Sequence, residues 1–270
     1  MRAADSLLTN CRWRIGRLRG VIAHQIAKNR QTCCDGILLN TMPKSGSVYI
    51  QKSLAKILSC QTLNVGNSYA LIDQIDIRDV KKLVGGGHVA QNHLAPSPEN
   101  LRVLEHFNLK MVLHLRDPRQ ALLSWVHHLD WISRGNDASE TLLYCTPHLP
   151  SDYFQSSLSS KISWQISNYL PQLITWVTRW VAIADLKNIP ILITQQEELR
   201  INERALFDSI LQFHNLTFDY ALPNLPKTLE ATHYRLADPT EWNWTFTPDQ
   251  KAQATSLIPP SLQQRFSWEF

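Results

Sequence analysis

Residues 36–54 read "GILLNTMPKSGSVYIQKSL". A short apolar run passes through Pro-Lys-Ser-Gly into a helical pattern. A run this short and this apolar suits a strand buried on both faces, which is how strands sit in parallel sheets covered by helices. The same change recurs at "NLKMVLHLRDPRQALLSWVHHL", residues 108–129. There an apolar strand meets Arg-Asp-Pro and becomes a helix. Asp117 is placed as an N-cap, Pro118 suits the first helical position, and Gln120 completes a capping-box-like pattern. Strands alternating with helices in this way predict an α/β fold with a central parallel sheet flanked by helices on both faces.

The remaining pattern agrees. A strand is expected over 36–41, followed by a helix to about residue 59. "VGGGHVAQNHL" (84–94) reads as a glycine turn entering a short strand, while 61–83 gives no clear signal. Residues 151–184 hold long helical stretches interrupted near Pro171, "IPILIT" (189–194) is a further strand, and 203–214 a helix. Thr247-Pro248-Asp249-Gln250 starts another helix by capping logic. Ahead of the first strand, residues 5–30 show an amphipathic helical pattern with Arg12, Arg14, Arg17 and Arg19 between apolar positions. This gives an N-terminal helical segment, 1–35, and a domain over 36–270. The segment reads as a helix packed on the domain edge, with a membrane-surface contact as the alternative.

Composition narrows the function. The 270 residues carry 27 Lys+Arg against 23 Asp+Glu, a net charge of +4. That suits an anionic small ligand and does not argue for nucleic acid. No apolar run reaches the about 18 residues of a membrane span, and the start lacks the apolar core of a secretory signal. Five scattered cysteines show no zinc-type spacing. A cytoplasmic protein without a metal site is the expectation. The sequons at Asn215 and Asn243 read as coincidental in that setting.

The loop itself reads as an anion site. Backbone N–H groups at a helix N-terminus, together with the helix dipole, favour negative charge. Gly46 permits close approach, Lys44 brings a cation, and Ser45 and Ser47 bring hydroxyls. An ordinary turn is the alternative. An ATP-binding P-loop needs Gly-x-x-x-x-Gly-Lys-Ser/Thr, and here the order is Lys-Ser-Gly, so a nucleotide kinase is disfavoured. Arg116, at the second strand-to-helix junction, can clamp a phosphate through two parallel hydrogen bonds. Ser124 follows eight residues later.

Taken together, "PKSGSVY" (43–49) and "RDPRQALLS" (116–124) resemble the two nucleotide-binding motifs of the PAPS-dependent sulfotransferases: P-K-S-G-T-T-W for the 5′-phosphosulfate and R-D/N-P-x-D-x-x-x-S for the 3′-phosphate. "QNHLA" is similar to the family's K-T-H-L-P and offers His93, 23 residues before Arg116. "HYRLADPTEWNWTFTPDQ" (233–250) resembles the R-K-G…W…F-T segment, and "ITQQEEL" (193–199) the Y-E-D-L stretch. The likeness spans most of residues 36–268.

The resemblance implies a single sulfotransferase domain with a P-loop-like sulfotransferase architecture. It implies transfer of a sulfuryl group from PAPS to a hydroxyl, or an amine, of a small-molecule acceptor such as a bacterial secondary metabolite, releasing PAP without a metal. His93 would be the base and Lys44 would meet the leaving oxygen. Ser45, Gly46, Ser47, Val48 and Tyr49 would line the phosphosulfate and adenine, and Arg116, Ser124 and Arg235 the 3′-phosphate. Alternatives are a membrane-associated glycan or glycolipid sulfotransferase and a non-catalytic nucleotide-binding protein. This chain departs from the pattern in four places. Val48 replaces a threonine, Tyr49 a tryptophan, Gln91 a lysine, and Leu236 and Ala237 replace the lysine and glycine after Arg235.

Overall fold

The structure, a computed structural model, describes residues 35–67, 70–134, 148–226 and 238–268. The N-terminal helical segment and Arg235 lie outside the described residues.

Five strands form one all-parallel sheet in the order β2-β3-β1-β4-β5. They are β1 (Ile37–Thr41), β2 (Gln61–Leu63), β3 (His88–Asn92), β4 (Met111–Leu115) and β5 (Ile191–Gln195). β1 and β4 are buried at every position, as their unbroken apolar runs predict. Side chains alternate between the two faces. Ile37, Leu39, Val89 and Val112 pack with Ile50 and Leu54 of α1 (Ser47–Ile57) on one face. Leu38, Ala90, Met111 and Leu113 enter the larger core on the other.

That larger core is built with α4 (Pro118–Ile132), α5 (Leu158–Asn168) and α6 (Leu170–Leu186). Between β2 and β4 run α2 (Ile77–Val84) and α3 (Pro98–His106). After β5 come α7 (Gln196–Ile201) and α8 (Glu203–Phe213), and the C-terminal region adds α9 (Glu241–Thr245), α10 (Pro248–Leu257) and α11 (Pro260–Phe266). The α8 residues Leu206, Phe207 and Ile210 join the α1 side. Helices therefore cover both faces.

Three local expectations meet the structure differently. β2 lies in the stretch without a clear signal; two of its three residues are exposed, so it has no apolar pattern to show. The break between α5 and α6 falls at Tyr169, because Pro171 sits in the first turn of the new helix, where a missing N–H costs nothing. Gln120 does not close a capping box on α4. Asp117 accepts from Arg119 N, but Gln120 Nε2 donates to Glu241 Oε2 and its Oε1 accepts from Trp242 N. The N–H of Asp117 goes instead to Glu197 Oε1, at 3.2 Å. By contrast, the Thr247/Gln250 box on α10 forms in full.

A buried ion pair fixes the turn before α4. Arg119, 1% exposed, holds the Asp117 carboxylate through Nε and Nη2. It also donates to Thr255 Oγ1 and Trp268 O and lies 4.0 Å over the Trp242 ring. The C-terminal helices are thereby tied to the Arg116 turn. No helix among the described residues is long and apolar enough to cross a membrane.

Candidate active site

Where strand order reverses, parallel sheets open a crevice at the carboxyl ends of their strands. Here the reversal lies between β1, whose chain leads to β2, and β4, whose chain leads to β5. Lys44 follows β1 and Arg116 follows β4, so the two basic motifs flank that crevice. His93 follows β3, the neighbour of β1 on the other side.

The Lys44 loop has a strained backbone. Lys44 has φ +66° and Gly46 φ +86°. A Cβ added at Gly46 would meet nothing closer than Gln196 Cγ at 3.8 Å, so the backbone angle, not space, asks for glycine. Ser45 is wholly buried and its hydroxyl donates to Met42 O at 2.7 Å, which makes it a turn-forming residue. Ser47 opens α1. The amides of Ser47 and Val48 fall in the first turn, where a helix has no carbonyl of its own to offer them. Tyr49 N and Ile50 N both reach Gly46 O.

β4 supports the loop from beneath. Met42 N donates to His114 O at 2.8 Å. His114 Nε2 lies 3.0 Å from Ser45 O and its Nδ1 2.8 Å from Thr194 Oγ1. A carbonyl only accepts, so Nε2 carries the proton and Nδ1 accepts from the threonine. Arg116 Nη1 donates to Lys44 O at 2.9 Å and joins the two motifs directly.

His93 is held as firmly. Its Nδ1 is 2.6 Å from Thr41 O. That nitrogen must be the donor, which leaves Nε2 as the lone-pair nitrogen. Thr41 Oγ1 accepts from Gln91 Nε2 at 2.9 Å. The next residue is anchored at both ends: Leu94 N donates to Asn40 Oδ1, and Leu94 O accepts from the indoles of Trp176 and Trp180. These two tryptophans and Trp125 are core residues. Burial first, and then the Lys44 charge, pull the His93 pKa down to about 4 against the opposing Thr41 bond. Dense protein encloses the ring, yet the residue keeps a partly exposed edge.

The remaining site residues are spread around this centre. Tyr49 is half-buried, and its hydroxyl donates to Glu203 Oε1 at 2.5 Å. Burial and that carboxylate raise its pKa to about 12. Ser124 is partly exposed on α4, one turn beyond Gln120. Glu197, in the first turn of α7, also takes part. Burial raises its pKa, and the amides of Glu197 and Asp117 and the Arg116 charge pull the other way. Thr41 and His114 carried no signal in the sequence, since their roles depend on which strands are neighbours; Glu197 lies in the stretch that resembles Y-E-D-L, which gave it no role of its own.

No protein-family model matches the chain, and neither does any curated protein. Solved structures do match. Mouse sulfotransferase SULT7A1, complexed with PAP, aligns with a TM-score of 0.56 at 16% identity, over 83% of this chain and 82% of that one. This chain has a sulfotransferase fold. A sulfotransferase from Alicyclobacillus acidocaldarius aligns with a TM-score of 0.52 at 11% identity, over 84% of this chain and 92% of that one. In this fold the Lys44 loop, His93 and Arg116 stand just past the carboxyl ends of three neighbouring strands, β1, β3 and β4.

The histidine beneath the loop carries a stability prediction. His114 is 1% exposed and its pKa is lowered to about 4, chiefly by burial. An unfolded histidine takes a proton near its ordinary value of 6.5. Above that pH neither state binds the proton; below it the unfolded state gains one and the folded state does not. Stability therefore falls as pH drops from 6.5 toward 4, by about 2 kcal/mol at pH ~5 from this group alone. Urea midpoints at pH ~7 and ~5 should differ accordingly, and His114→Asn should narrow the difference. Equal wild-type midpoints would contradict a neutral, buried His114. Asp76, Asp185 and Asp238, whose pKa values are lowered, contribute only at more acid pH.

Proposed function

We propose that this protein is a PAPS-dependent sulfotransferase acting on a hydroxyl group of a small-molecule acceptor. The supporting observation is the convergence of Lys44, His93 and Arg116 at adjacent strand ends, with Arg116 bonded to the Lys44 carbonyl and Lys44 close enough to bias His93. That the mouse sulfotransferase of the same fold is complexed with PAP supports the nucleotide reading.

Sulfuryl transfer asks a protein for alignment and for stabilisation of developing charge, much as phosphoryl transfer does. Lys44 and the first-turn amides of α1 meet the charge that grows on the leaving phosphate oxygen. His93 Nε2 takes the acceptor's proton, while Nδ1–H stays on the Thr41 carbonyl and keeps the ring in one tautomer. Arg116 reads the 3′-phosphate through its guanidinium. The hydroxyls of Ser47 and Ser124 and the guanidinium of Arg235 add to the nucleotide contacts, and Tyr49 offers an aromatic face to the adenine. Gln91, bonded to Thr41, steadies the histidine in place of the family's lysine.

The test is titration with PAP, ATP and ADP, followed by PAPS turnover against a panel of hydroxyl and amine acceptors. PAP should bind most tightly, and sulfated product should form with at least one acceptor. Preference for ATP would end this reading. PAP binding with no turnover, and no effect of His93→Ala, would leave a non-catalytic nucleotide-binding protein.

A further inference from the structure

The first turn of α7, directly after β5, stands beside both basic motifs. Gln196 packs near Gly46 of the Lys44 loop, and Glu197 caps the Arg116 turn through Asp117 N. Glu197 uses only Oε1 for that bond. Its Oε2 is buried, and among the described residues no protein group donates to it. Buried acceptors without a partner are uncommon and costly in folded proteins.

Capping does not explain this oxygen, because Oε1 alone satisfies the Asp117 N–H. Nor does it suit simple anion binding, since a carboxylate beside Arg116 opposes a phosphate. A ligand that offers a phosphate to Arg116 and a hydroxyl on the adjacent carbon answers both points. A ribonucleoside 3′-phosphate is such a ligand: its 2′-hydroxyl neighbours the phosphate. We propose that Glu197 accepts the ribose 2′-hydroxyl on Oε2 and so selects a ribonucleoside 3′-phosphate over its 2′-deoxy counterpart. This rests on the nucleotide reading above, and it assigns Glu197 a specificity role.

The test compares PAP with 2′-deoxyadenosine 3′,5′-bisphosphate by calorimetry. Wild-type protein should bind PAP about tenfold more tightly, the size expected for one hydrogen bond to a charged group. Glu197→Ala should bind the two within about twofold of each other, mainly by losing affinity for PAP. Glu197→Gln keeps an acceptor for Asp117 N and guards against a folding defect; its preference should be intermediate. Equal wild-type affinity for the two ligands, or full preference retained in Glu197→Ala, overturns the proposal. If PAP binding is Arg116-dependent but indifferent to the 2′-hydroxyl, only the Glu197 role falls. If neither ligand binds, the nucleotide reading falls with it.

Discussion

His93→Ala is expected to lower kcat by about 10²-fold or more, with PAP affinity changed by less than about threefold. The split follows from the geometry. Nδ1 is spent on the Thr41 carbonyl, so the ring meets the reaction through Nε2 alone. Removing it deletes the proton acceptor and leaves the Lys44 loop and its Arg116 bond in place. A variant that kept more than about a tenth of wild-type kcat would rule out His93 as the base.

The pH profile tests the same residue independently. A base works unprotonated, so activity is lost as pH falls through its pKa. Burial and Lys44 hold that pKa at about 4 in the free protein. The acid limb of kcat/KM should therefore lie well below the ordinary histidine value of 6.5. An anionic group bound on Lys44 cancels part of the charge that depresses the imidazole. The limb in kcat, which reports the bound complex, should then sit at higher pH than that of kcat/KM. The reverse order would mean that Lys44 does not meet the ligand's charge. It would also separate a failing base from a failing nucleotide site.

The sequence exposes some of this arrangement and conceals the rest, for physical reasons. β1 and β4 are visible because strands buried on both faces must be apolar throughout. The Lys44 loop and the Arg116 turn are visible because the residue types that suit an anion stand there at short spacing. Three-dimensional neighbours are another matter. Thr41 orients His93 only because β1 pairs with β3, with Asn40 beside Asn92. His114 reaches the Ser45 carbonyl only because β4 lies on the other side of β1. Gln120 obeys the local capping pattern and is drawn away by Glu241 and Trp242, more than 120 residues further along. Gln91 shows how a departure from the family's pattern can mislead. As a substituted lysine it reads as a lost contact, but its amide is engaged in holding Thr41, whose carbonyl holds His93.

Arg116→Ala is expected to weaken PAP by about a hundredfold and AMP by only a few-fold. The two ligands differ in the 3′-phosphate alone, so the ratio isolates what Arg116 reads. A charged, forked contact carries roughly 1.5–3 kcal/mol. The small loss for AMP comes from the other task of the side chain, the 2.9 Å bond from Nη1 to Lys44 O, which helps to seat a loop with left-handed backbone at Lys44 and Gly46. Arg116→Lys separates the two tasks. An ammonium keeps the charge but cannot present a planar fork, so it can serve the carbonyl or the phosphate but not both in their present geometry. That variant should lose about tenfold in PAP affinity and should also lose kcat, because a displaced Lys44 no longer meets the leaving oxygen. If Arg116→Ala lowered PAP and AMP affinity equally, Arg116 would be a brace for the loop, and the 3′-phosphate would have to be read elsewhere.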